Sequence, residues 1–382
     1  MTGRQRLITV LGTRPELVKL SPVVPLLDAM RAFDHVVIHT GQHYSAEMDA
    51  IFFRDLGLRP PDVALQVGSG PHGRQTGAIL AGVEEVLLHG PATAGVVVLG
   101  DTNSTLGGAL AAAKLAIPVV HIEAGCRSFQ PDQPEEINRI LVDHCAQHLL
   151  APDERAAANL RREGVPETAI AVVGSTSIDA VLRHAPRARG RPIVAEVMQR
   201  LDVRTPMQML LCTVHRAENT LPDTFAGLLR GLNRLAEHFP IVLPLHPRAR
   251  AVLDQLGGPA LVSPRVLLLP PLGYLDMLAL LSVVRALLTD SGGLQEEAAA
   301  VGTPALVLRE RTEWSYLVEA GRNALIGANG DTLCSRALAL LTDEANAQMR
   351  AAPCRLNAGA AERIATEIEC RLAGQDQREA KG

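Results

Sequence analysis

One rhythm in this sequence limits its fold more than any other feature. Short β-branched and aliphatic runs at 7–11, 36–39, 96–99 and 119–122 each break into a polar loop, and they alternate with segments of helical period such as 16–30 and 105–115. Parallel strands can be joined only by long crossovers, so this alternation describes βαβ units on a parallel sheet. The rhythm resumes after a polar, basic stretch rich in Pro and Gly at 184–192. Strands then follow at 209–213, 241–245, 266–269, 286–289 and 305–308, with helices near 221–238, 275–281 and 294–301. The expected organisation is an N-terminal α/β domain over 1–183, a hinge at 184–192 and a second α/β domain over 193–356. A C-terminal helix and tail at 357–382 have no assigned docking side.

Composition narrows the functional class. The 37 basic residues against 41 acidic ones give a net charge of −4, which leaves no electrostatic footprint for nucleic acid or an anionic membrane. An anionic ligand must therefore be held by local cations. Six cysteines lie scattered without C-x-x-C spacing, no apolar run reaches membrane-spanning length, and the first residues enter a strand without a signal-like core. The expected location is the cytoplasm, with reduced thiols.

Three kinds of loop carry chemistry. Gly12-Thr13-Arg14-Pro15-Glu16 opens a helix after the first strand; its backbone amides, with Arg14 and Lys19, form an expected anion pocket, and phosphate is the natural candidate. Asp290-Ser291-Gly292-Gly293 opens another helix, where two glycines admit a diphosphate to the backbone and a carboxylate a turn later suits a ribose diol. Asp101 and Glu123 each follow a strand, and Glu135 lies on the connection beyond, so the sequence places three carboxylates along one sheet edge. Clustered carboxylates raise one another's proton affinity, which suits proton transfer near neutral pH. Each has a structural alternative: an N-cap for Asp101, for example, or an i, i+3 pair of Glu136 with Arg139 near Glu135. His215 and His246 also follow strands and can meet phosphate or sugar oxygens, whereas His144 and His148 lack the remaining ligands of a zinc site. No D-x-D metal motif occurs, so no metal or cofactor is expected.

Taken in order, GTRPE with Lys19, TGQH at 40–43, GDTNSTL at 100–106, HIEAGCRS at 121–128, PEEINR at 134–139, VHRAEN at 214–219, HPR at 246–248 and TDSGGLQEEA at 289–298 resemble the non-hydrolysing UDP-N-acetylglucosamine 2-epimerase family. The resemblance implies two Rossmann-like domains facing a central cleft, as in B-type glycosyltransferases, in a homodimer. It also implies a UDP-sugar substrate, polysaccharide biosynthesis as the setting, and anti elimination of UDP through a glycal, followed by re-addition. The family's acid/base carboxylates match Asp101, Glu123 and Glu135, and its phosphate-side histidine matches His215. Its UDP contacts match Arg14, Lys19, Tyr274, Ser291, Gly292, Gly293 and Glu297. A sugar or activator region matches Gln42, His43, Arg74, Gln75, His246, Arg248 and Glu313.

Departures from the family pattern bear on the sugar. Thr312-Glu313-Trp314-Ser315-Tyr316 replaces a Thr-Glu-Arg-Pro-Glu stretch, Met277 stands where a Phe is usual, and Asn357-Ala358-Gly359 replaces an Asp-Gly signature. The TEW form resembles a branch that includes epimerases of UDP-2,3-diacetamido-2,3-dideoxy-glucuronic acid, in which a cation such as Arg248 would meet the carboxylate. Two other readings compete with a C2 epimerase acting on UDP-GlcNAc or that uronate: a B-type glycosyltransferase, and a silent nucleotide-sugar sensor.

Overall fold

The computed structural model describes residues 4–42, 52–353 and 356–373. His43 and Cys354 fall outside them. The described residues up to Ala180, together with those from Asn357 onward, form one compact unit, and Val181–Leu356 form a second.

The first unit is built on seven parallel strands: β1 (Gln5–Leu11), β2 (Phe33–His39), β3 (Val63–Ala64), β4 (Thr93–Leu99), β5 (Val119–Ile122), β6 (His148–Ala151) and β7 (Ile170–Val172), in the order β3-β2-β1-β4-β5-β6-β7. The second has six: β8 (Leu210–Thr213), β9 (Ile241–Pro244), β10 (Val266–Leu269), β11 (Ala286–Thr289), β12 (Ala305–Val307) and β13 (Asn323–Leu325), in the order β10-β9-β8-β11-β12-β13. Each is the doubly wound order in which the chain reverses direction beside its first strand. Ligands of such sheets bind beyond the carboxyl ends at that switch point, here beside β1 and β4, and beside β8 and β11.

Both faces of each sheet are covered, which explains why the strands read as continuous apolar runs. Leu210 and Cys212 of β8 pack with Phe225, Leu228 and Leu232 on one face, while Met209 and Leu211 pack with Val197, Leu280 and Leu281 on the other. In the first unit Ile8, Val10, Val96 and Val98 meet Ile79, Val83 and Leu106.

Some sequence expectations are revised. The expected helix over 16–30 is two, Arg14–Leu20 and Val24–Asp28, because Pro22 and Pro25 interrupt the hydrogen-bond ladder. The stretch at 184–192 is helical as far as Ala188, within Thr176–Ala188, and His184 stacks edge-on against Tyr274 at 5.7 Å. Burial, with Arg183 and Arg187 adding to it, holds the His184 imidazole down to about 4. The C-terminal helix Ala360–Ile368 belongs to the first unit, where the Asp179 carboxylate accepts from the amides of Gly359 and Ala361 at 2.7 Å each.

Candidate active site

At the switch point of the first unit the loop after β1 presses close to its neighbours. A Cβ on Gly12 would lie 1.9 Å from Thr40 Oγ1 and 2.2 Å from Ser104 Oγ, so only glycine fits. Thr13 caps the helix Arg14–Leu20, and Glu16 completes a reciprocal capping box. The buried Glu16 carboxylate accepts from the amides of Gly12 (2.8 Å) and Thr13 (2.7 Å) and from Thr13 Oγ1 (2.9 Å), and its other oxygen accepts from Thr102 Oγ1 (2.7 Å) in the loop after β4. Burial pushes its proton affinity up against these donors, Thr102 foremost. Two amides of this loop, those of Gly12 and Thr13, are thus taken by the chain's own carboxylate. Lys19 is likewise engaged, with Nζ 2.7 Å from Glu123 Oε2, while the Arg14 guanidinium lies 4.1 Å above the Phe52 ring.

Asp101 and Glu123 follow β4 and β5, which are paired neighbours. A Cβ on Gly100, the residue before Asp101, would lie 3.7 Å from Glu123 Oε2, so the Glu123 carboxylate reaches across to the adjacent turn. Each carboxylate has a cation: Arg139 Nη2 lies 2.5 Å from Asp101 Oδ2, and Lys19 holds Glu123. Glu123 adopts φ 67°, a left-handed backbone uncommon outside glycine and one its surroundings must enforce. Glu135 is exposed on the first turn of the helix Pro134–Cys145, so the connection read from sequence is in part helical. Its neighbour Glu136 is buried and forms the i, i+3 pair with Arg139 at 2.9 Å. Burial would raise the Glu136 carboxyl, but the amides of Ser128 and Phe129, with Arg139, hold it below its ordinary value.

Among the residues matched to an activator region, Gln42 and Gln75 are buried. Gln42 Oε1 accepts from the Ser104 amide at 3.1 Å; Gln75 donates to the Gln42 carbonyl at 2.9 Å and accepts from Asn103 Nδ2 at 2.8 Å. Arg74 is exposed on the helix His72–Leu88. Asn138 continues the chain of amides, donating to the Asp101 carbonyl at 2.8 Å.

In the second unit Asp290, fully buried after β11, organises the switch point. Its carboxylate pairs with His215 Nδ1 at 2.9 Å and accepts from the Arg216 amide at 3.0 Å and Asn219 Nδ2 at 3.1 Å. Burial opposes ionisation there, yet the His215 ring and these donors hold the Asp290 carboxyl below its usual range. With Nδ1 committed to Asp290, a ligand could be met only through the ring's Nε2. Ser291 Oγ caps the helix Gly292–Ala300, and among the described residues no side chain crowds a Cβ placed on Gly293. Burial and, to a lesser extent, the Glu297 anion raise the Tyr274 phenol. His246 caps the helix Pro247–Leu256 with its ring 6.0 Å from that of His215, and Arg248 Nη1 donates to the His215 carbonyl at 3.3 Å. Glu313 is held by Arg309 at 2.8 and 3.0 Å, and Arg216 stands 3.5 Å away. Burial raises its carboxyl, but these arginines outweigh it and bring it to about 2. The indole Nε1 of Trp314 lies 3.5 Å from where a Gly292 Cβ would be.

Sequence reading missed Glu16, Asp290 and Arg309 as residues that hold these loops, and gave Arg139 only as a partner of Glu136. For Glu16 the signal was local, since Thr13-x-x-Glu16 is the capping-box pattern, and so was the i, i+4 spacing of Arg309 with Glu313. Among the described residues no cluster of three or more His, Cys, Asp or Glu is arranged for a metal ion, and no helix is long and apolar enough to cross a membrane.

Comparisons with known proteins agree with this architecture. The UDP-N-acetylglucosamine 2-epimerase family matches residues 26–369. A UDP-N-acetylglucosamine 2-epimerase of Methanocaldococcus jannaschii is 41% identical over 346 residues, covering 89% of this chain and 93% of that protein. The UDP-2,3-diacetamido-2,3-dideoxy-D-glucuronate 2-epimerase of Pseudomonas aeruginosa is 41% identical over 336 residues, covering 87% and 91%. The crystal structure of the M. jannaschii UDP-GlcNAc 2-epimerase in complex with UDP-GlcNAc and UDP superposes with a TM-score of 0.84 at 39% identity, covering 95% of this chain and 99% of that one. With that extent of identity along nearly the whole of its relatives, the chain belongs to the non-hydrolysing UDP-N-acetylglucosamine 2-epimerase family.

Proposed function

We propose that this isomerase inverts C2 of a UDP-2-acetamido sugar, converting UDP-GlcNAc to UDP-ManNAc. A base removes the C2 proton as the C1–O bond to UDP breaks on the opposite face, leaving a glycal and UDP. A proton is then returned to the other face of C2 while UDP re-adds at C1. Inversion thus needs groups able to take and give a proton, and the observation that carries the reading is the placement of Asp101 and Glu123 at the carboxyl ends of adjacent strands. Glu135 is assigned the third proton-handling role. His215, Ser291, Gly292 and Gly293 are assigned to the diphosphate, and Tyr274 and Glu297 to the nucleoside.

The uronate is the second reading. It is favoured by equal identity, 41%, to the P. aeruginosa glucuronate enzyme and by the exposed cation Arg248 beside His215. Incubation with UDP-GlcNAc and, separately, the diacetamido uronate in deuterated water, followed by NMR at C1 and C2, tests both readings. Product without deuterium at C2 refutes the elimination, and turnover of one sugar alone selects the substrate.

The homodimer expected from the family is supported by a stripe of exposed Ile137, Ile140 and Leu141 on the helix Pro134–Cys145. Light scattering that shows a fully active monomer refutes it. A reducing cytoplasmic setting is supported by free thiols at Cys126, Cys145, Cys212, Cys334 and Cys370.

A further inference from the structure

Beneath the two carboxylate-bearing turns of the first unit lies a buried ionic cluster to which the reaction outlined above assigns no part. His121, on β5, is fully buried; its Nε2 donates to the Gly100 carbonyl at 2.8 Å, and its Nδ1 pairs with Asp143 Oδ1 at 2.7 Å. Asp143 comes from the helix Pro134–Cys145. Its second oxygen accepts from the Gly125 amide at 3.0 Å and from Arg127 Nη2 at 2.7 Å. Burial would raise the Asp143 carboxyl, and His121 and Arg127 hold it below its ordinary value. Gly125 is two residues beyond Glu123. It takes φ 79°, and a Cβ there would lie 2.2 Å from the Ala156 carbonyl oxygen.

Each oxygen of Asp143 therefore governs one turn, through His121 the turn that carries Asp101 and through Gly125 the turn that carries Glu123. A buried His–Asp–Arg cluster is a poor source of stability, since apolar residues of similar volume commonly serve as well. What it supplies is one fixed geometry, and here its bonds end on the backbone next to two proposed proton-transfer groups. We propose that Asp143 and His121 are positioning residues for the epimerisation, setting the relative placement of Asp101 and Glu123. The inference rests on reading those two as the groups that move the C2 proton.

Two amides at position 121 separate the halves of the clamp. The nitrogen of Gln falls near the Nε2 position and keeps the donor to Gly100; that of Asn falls near Nδ1 and keeps only the Asp143 partner. In steady-state epimerisation, normalised to folded protein, His121→Asn should lower kcat by about tenfold or more, as a misplacement on the order of an ångström does. Its KM should stay within about threefold, and His121→Gln, which restores the bond to Gly100 but not the link to Asp143, should recover about threefold or more of that loss in kcat without reaching wild type. Equal kcat for the two variants, or a rise in KM with kcat intact, overturns the clamp. If His121→Asn does not fold, Asn138→Ala, which frees the carbonyl of Asp101 in the same turn, is scored by the same split of kcat against KM. Asp101→Asn run alongside keeps the two failures apart. Wild-type kcat in that variant refutes the proton-transfer reading, whereas a large loss there with indistinguishable His121 variants refutes the clamp alone.

Discussion

Glu16 joins the loops after β1 and β4, so its removal should be felt well beyond one side chain. In Glu16→Ala the amides of Gly12 and Thr13 lose their acceptor in a buried site, as do the hydroxyls of Thr13 and Thr102. The hydroxyls can re-pair, because Thr102 and Thr105 lie 3.1 Å apart; the two amides are fixed. At about 1–3 kcal/mol for each stranded donor, less the relief of no longer burying a carboxylate, the loss should be about 2–4 kcal/mol. For a unit of this size that corresponds to a fall in its melting temperature of roughly 5–15 °C. Glu16→Gln should cost about 1 kcal/mol, since its carbonyl can face the amides while its NH2 meets threonine hydroxyls that rotate to accept. The pH dependence adds a sign. Burial raises the Glu16 carboxyl, so its contribution is fully present below the unfolded value near 4.5 and declines as pH rises through the folded one. The uncharged Gln variant should therefore gain on wild type as pH rises. Calorimetry, with hydrogen exchange of peptides spanning 8–20 and 98–106, measures both effects. Equal melting for the Ala and Gln variants, with unchanged exchange at Gly12 and Thr13, would refute the reasoning.

Three further outcomes are expected. Asp101→Asn and Glu123→Gln should each lower kcat by roughly 10² to 10⁴ with little change in UDP affinity, measured by steady-state assay and calorimetric titration. Arg248→Ala should reduce kcat/KM for the uronate by roughly tenfold or more while sparing UDP-GlcNAc; equal losses on both sugars would remove it as the discriminator. Glu313 is held near 2 by Arg309 and Arg216, so its stabilisation is present above about 4.5 and is lost as pH falls toward 2. The stability gap between wild type and Glu313→Gln should be at most about 3 kcal/mol at neutral pH and should close in acid, read by denaturant melts across that range.

The parallel α/β character and the loops that carry chemistry were legible in the sequence because both are local. Apolar runs long enough for a strand, broken by Gly, Asp or His, report their own ends, and Pro15 and Ser291 mark helix starts within a few residues. The strands β3, β6, β7 and β13 gave no comparable signal, since alanine or a polar residue such as His148 or Asn323 breaks each aliphatic run. The helix Pro134–Cys145 was hidden for a different reason: it buries Glu136, Asn138 and Asp143, polar residues whose burial only their partners make affordable.

Partnership is what the tertiary structure decided. By itself, the sequence determined that Arg14, Lys19 and the Gly12 loop stand at a helix start, and that Asp101 and Glu123 stand at strand ends. It did not determine that Lys19 pairs with Glu123, that Thr102 donates to Glu16, or that Arg139 goes to Asp101 as well as to Glu136. A strand end fixes where a side chain starts. Which charge it meets depends on residues far along the chain, 104 positions away for Lys19 and Glu123 and 75 for His215 and Asp290. Hydrogen bonds and ion pairs act over a few ångströms of space, so no local pattern could announce those pairs before the parallel sheets had set their strands side by side.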